Sequence, residues 1–94
     1  MMRDFESKDG IMLIGGVSAV EIADRYGTPV YVTEEQRVRE NYRRVYDAFS
    51  RYMDTEVHYA CKANTNLAIL AILEQEGSHI DAVSIGEVLT CLRA

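Results

Sequence analysis

The chain has 94 residues, room for one small domain at most. Its 48% hydrophobic and 27% charged content is that of an ordinary globular protein and excludes a disordered chain. A net charge of −5 excludes a general binder of nucleic acid or anionic membrane, since both require a basic face.

Residues 1–10 are polar and read as a loop or frayed end; mixed acids and bases with no apolar core exclude a signal peptide. Ile11 to Ile14 is a short apolar run closed by Gly15-Gly16, which suits a brief strand or turn. Ser18 and Glu21 form a Ser-x-x-Glu capping box that opens a short helix through Tyr26, with Gly27 and Pro29 placed to end it. Pro29 to Val32 reads as a strand.

Thr33 and Gln36 make a second capping box. In the helix that follows, Val38, Tyr42, Val45, Tyr46, Phe49 and Met53 share one apolar face. Arg37, Arg39, Arg43, Arg44 and Arg51 take the other faces and read as a solvated surface. Glu56 to Cys61 reads as a strand and Asn64 to Asn66 as a turn. The helix 67–76 is apolar nearly all round, so it is expected to be buried. Its wholly apolar part, 67–73, is far short of the roughly 20 residues that a membrane helix needs. Ile80 to Val83 reads as a third strand, and Ser84 with Glu87 caps a last helix.

Strand, helix, strand, helix from residue 56 onward points to parallel strands joined by right-handed crossovers. Two such strands cannot cover the faces of helix 67–76, so the chain is expected to be part of a larger (β/α) protein. Cys61 and Cys91 belong to no Cys-x-x-Cys pair and no zinc pattern, and read as reduced thiols with no metal site. Cys61 is expected in the core.

The chain has eight Arg but only two Lys, Lys8 and Lys62. Lys8 reads as surface. Lys62 ends the predicted strand 56–61, and period-two alternation would put His58, Ala60 and Lys62 on one face. The C-terminal ends of parallel strands form the functional mouth of α/β folds. A lysine there, partly desolvated, is suited to attack an aldehyde, and Ala60 leaves space for a flat ring. Local pattern alone favours a solvent-facing lysine at a strand end, and a small α/β interaction module with a merely structural Lys62 is a further alternative.

The segment Tyr59-Ala60-Cys61-Lys62-Ala63-Asn64 resembles the Y-A-x-K-A-N segment of pyridoxal-phosphate decarboxylases of the alanine-racemase-like fold, which act on diaminopimelate, ornithine or arginine. Gly16 to Ala19 and Tyr26 to Val32 are similar to the opening segment of the diaminopimelate group. Asp81 to Val88 resembles its D-V-V-S-G-G-E-L stretch, with Ile85 where that group usually has glycine. The resemblance covers nearly the whole chain from residue 11, with the motifs in the expected order.

The resemblance implies a fold class: α/β, an N-terminal fragment of a TIM (β/α)8 barrel. Residues 1–33 would pack with a second β domain, and 34–94 would form the first, incomplete part of the barrel. It implies pyridoxal 5′-phosphate as cofactor, with Lys62 the catalytic residue that carries it and with Ala60 and Asp81 lining it. Asp81, read as the start of the third strand, would hold an ammonium or shape proton transfer. Glu87 is assigned to capping, His58 to a hydrogen-bonded place in the barrel interior, and His79 to a surface loop. The implied reaction in the full-length enzyme converts meso-diaminopimelate to L-lysine, in a cytoplasmic homodimer with an amino acid substrate and no nucleic-acid or membrane partner. An ornithine or arginine enzyme, or a non-catalytic pyridoxal-phosphate-binding barrel, is the alternative. No Gly-rich phosphate loop follows Lys62, so the chain alone is expected to be inactive.

Overall fold

The computed structural model describes residues 5–94, which divide after Glu34 into two compact units. The first contains a three-stranded antiparallel sheet of β1 (Glu6–Lys8), β2 (Ile11–Ile14) and β3 (Val17–Ser18), followed by helix α1 (Ala19–Tyr26). Two two-residue turns connect the strands. Asp9-Gly10 lies between the paired residues Lys8 and Ile11, and Gly15-Gly16 between Ile14 and Val17. All four turn residues have positive φ, from 52° to 82°, as the tight turns that match strand twist require. Of the polar start expected as a loop, residues 1–4 lie outside the described residues, and Glu6–Lys8 instead form β1 because Asp9-Gly10 returns it onto β2.

Ser18 caps α1 as expected, its hydroxyl accepting from the Glu21 N–H at 3.3 Å. Residues 29–32, expected as a strand, join no sheet among the described residues, and Tyr31 is fully exposed. Their composition favours extended backbone, but a strand needs a neighbour to bond with, and none is described beside them.

The second unit begins with α2 (Glu35–Ser50) and continues with β4 (His58–Ala60), a single 3-10 turn (Cys61–Ala63), α3 (Leu67–Gln75), β5 (His79–Asp81) and α4 (Ile85–Arg93). The Thr33–Gln36 capping box does not form. The helix starts at Glu35, and the Gln36 amide donates forward to Glu40 at 3.1 Å. It also stops at Ser50, so Met53 lies beyond it, and Val45, Tyr46 and Phe49 on its apolar face are exposed.

β4 and β5 pair in parallel, His58 with His79, Tyr59 with Ile80 and Ala60 with Asp81. This is the expected strand–helix–strand crossover. α3 packs against α2 and α4. Leu70 and Leu73 on α3 are buried together with Cys61, as the core assignment of Cys61 predicted, but the helix is not buried all round as expected: Leu67 is 46% exposed, because no further element covers that side among the described residues. Asn66 starts α3 by accepting from the Ala68 N–H at 2.9 Å. No described helix is long and apolar enough to cross a membrane.

Arg39 and Arg43 depart from the expected solvated surface. Both reach from α2 to Glu76, beyond the end of α3, with N–O distances of 3.0 and 2.7 Å. The Glu76 side chain is only 8% exposed, and Arg39 also pairs with Glu35. The hydrogen bonds from Arg43, and then those from Arg39, hold the Glu76 carboxyl below its ordinary range.

Candidate active site

The candidate site is built at the carboxyl edge of the parallel pair. Ala60 and Asp81 are the last residues of β4 and β5 and are register partners, so their side chains leave the same face of the sheet. Asp81 therefore ends its strand rather than starting it. The strand takes in His79 because the His79 N–H donates to the Val57 carbonyl at 2.9 Å.

Lys62 does not continue β4. The chain leaves the strand after Ala60 and enters the 3-10 turn, so alternation does not fix the side of the sheet that Lys62 takes. The turn has local causes. Cys61 is fully buried and anchors it from below. The Tyr59 hydroxyl donates to the Asn64 carbonyl at 3.0 Å, and the Asn64 side chain accepts from the Asn66 N–H at 3.0 Å. Lys62 is thus held at the mouth of the strand pair by a fixed turn. Among the described residues it and Asp81 are exposed, so any desolvation of the amine has to come from groups laid over this edge.

The two histidines lie side by side on the parallel pair. His58 is exposed, lies 3.2 Å from Glu56 through Nε2 and stacks on His79 with ring centroids 4.9 Å apart. His79 belongs to β5 rather than to a loop, though it is exposed. Both share a sheet face with Ala60 and Asp81 but lie at the opposite ends of these strands. Glu87 does the capping work assigned to it. The Ser84 hydroxyl accepts from the Glu87 N–H at 3.1 Å and donates to Glu87 Oε2 at 3.0 Å. No group of three or more metal-ligating side chains occurs among the described residues.

An amine, a carboxylate and a small methyl at one strand edge suit an aromatic aldehyde that must be held covalently and approached on its flat side. Residues 35–94 match the family "Pyridoxal-dependent decarboxylase, pyridoxal binding domain". The chain belongs to this family, and pyridoxal phosphate is the cofactor of its domain. The whole chain is 62% identical to 22% of the diaminopimelate decarboxylase of Methanothermobacter thermautotrophicus. Over 88% of its length it is 43% identical to 20% of the Methanocaldococcus jannaschii enzyme, and over 95% it is 38% identical to 20% of that of Bacillus subtilis. The crystal structure of diaminopimelate decarboxylase from M. jannaschii superposes with a TM-score of 0.89 at 40% identity, over 95% of this chain and 22% of that one. The same enzyme solved with L-lysine superposes equally well. The chain spans about a fifth of the length of these relatives. Its α/β fold is that of their N-terminal part, in agreement with the fold class expected from the sequence.

Proposed function

We propose that the full-length protein carrying this chain decarboxylates meso-diaminopimelate to L-lysine, and that Lys62 is the residue to which pyridoxal 5′-phosphate is attached. The observation that carries the reading is the position of Lys62. It is the single lysine of the second unit, borne on a rigid turn at the carboxyl edge of two parallel strands, in a chain 62% identical to a diaminopimelate decarboxylase.

The cofactor, when bound, supplies an electron sink for the pair left behind as the α-carboxylate departs as carbon dioxide. This chain supplies the groups around it. Lys62 Nζ would be the attachment atom, and as a free amine it would take up or return a proton. The Asp81 carboxylate, at the same edge, pairs with the ammonium form of that amine. The Ala60 methyl leaves room for the ring. Donors for the phosphate and for the distal end of the substrate must come from elsewhere in the full-length protein. The reading also carries a cytoplasmic homodimer, for which sedimentation of the full-length protein is the check on assembly.

The test is turnover of meso-diaminopimelate by the full-length protein, with ornithine and arginine as competing substrates. L-Lysine is the expected product, and Lys62→Ala is expected to lower kcat by at least about 10³-fold, in the range seen when an activating nucleophile is removed. Preferential turnover of ornithine or arginine would overturn the substrate, and an undiminished Lys62→Ala variant would overturn the residue.

A further inference from the structure

Cys61 and Cys91 lie 30 residues apart in sequence, on the turn that carries Lys62 and on α4, yet their sulfurs are 3.6 Å apart and both are free thiols. Cys61 is 0% exposed, while Cys91 is partly accessible. We propose that these two cysteines form a reversible dithiol–disulfide couple that, when oxidised, ties the Lys62 turn to α4.

The geometry is favourable. A disulfide has sulfurs about 2.05 Å apart, so the pair must close by about 1.5 Å. The oxidant is hydrogen peroxide, small enough to reach a partly covered sulfur. The Cys91 sulfur attacks the peroxide, the O–O bond breaks, and water leaves, giving a sulfenic acid. The Cys61 sulfur then attacks the Cys91 sulfur. The S–S bond forms, the S–O bond breaks, and the hydroxyl leaves as a second water with the Cys61 proton. Two thiols and one peroxide thus become one disulfide and two waters.

The surroundings favour keeping the bond once it is made. Burial, then the hydrogen bond with Cys91, then the nearby charges of Cys91 and Glu87 push the Cys61 thiol up to about 11. A thiol so reluctant to ionise is a poor leaving group, which slows reductive attack on the Cys91 sulfur.

The couple is independent of the role of Lys62. Its test is treatment of the folded full-length protein with hydrogen peroxide, a quench with N-ethylmaleimide in denaturant, and non-reducing peptide mapping. The expected result is a linked peptide pair containing Cys61 and Cys91, in most of the protein, which dithiothreitol separates. In the Cys61→Ser variant, Cys91 should accumulate as a sulfenic acid trapped by dimedone, with no linked pair. Oxidation of Cys91 to sulfinic acid in the unsubstituted protein while Cys61 stays alkylatable, a link to some other cysteine, or two alkylated thiols after peroxide would each overturn the proposal.

Discussion

Ser84 illustrates how one side chain starts an element beside the candidate site. Its hydroxyl satisfies an otherwise unpaired N–H at the head of α4, the helix that follows Asp81 after only three residues. Ser84→Ala in the full-length protein is expected to cost about 1 kcal/mol, read from chemical denaturation, whereas Ser84→Gly should cost only a few tenths. Glu76 gives a pH-dependent counterpart. Its carboxyl is held below the ordinary 4.5 by Arg43 and Arg39, so its ionised form is favoured in the folded state. The resulting stabilisation is complete above the unfolded-state value of 4.5 and fades as pH falls through the lower folded-state value. Melting temperatures of the parent protein and Glu76→Gln should therefore differ most above about pH 5 and converge on acidification. A gap unchanged down to pH 3 would assign the effect to packing. The caps at Ser18 and Ser84 were legible in the sequence because capping is local. The Glu76 clamp was not, since Arg43 and Arg39 lie 33 and 37 residues away and only the packing of α2 on α3 brings them in.

Among the elements, α3 supplies two of the three buried apolar residues among those described, Leu70 and Leu73. Leu73→Ala is expected to cost about 2–5 kcal/mol in the full-length protein. The alternation of helix and strand from residue 56 was readable because each element has its own period and its own punctuation. Strand ends were read less well. A strand ends where its neighbour or its turn ends it, which is why Lys62 fell outside β4 and Asp81 moved from the start of β5 to its end. That second shift matters for chemistry, because it brings the carboxylate to the same edge as Ala60. The β1–β2 hairpin carries a local signal in Asp9-Gly10. Asp-Gly between two short runs is a strong hairpin mark, but the polar residues before it suggested a loop.

At the scale of the whole molecule, the described residues bury few side chains, and Val45 and Phe49 of α2 and Ile85, Leu89 and Leu92 of α4 are exposed. Apolar faces of this kind are covered in a stable protein. The 94-residue chain expressed alone is therefore expected to melt without a cooperative transition or a native near-UV signal, and to show no decarboxylation. A sharp two-state melt would contradict this. The family and its cofactor could be read from three ordered motifs, whereas no motif in this sequence points to the groups that hold phosphate or choose the substrate. The central claim is the attachment of the cofactor to Lys62. It is tested most directly by borohydride reduction of the full-length protein with pyridoxal 5′-phosphate bound, followed by peptide mapping. A pyridoxyl group on Lys62 is the predicted result, and a label on any other lysine, with Lys62 unmodified, would contradict the account.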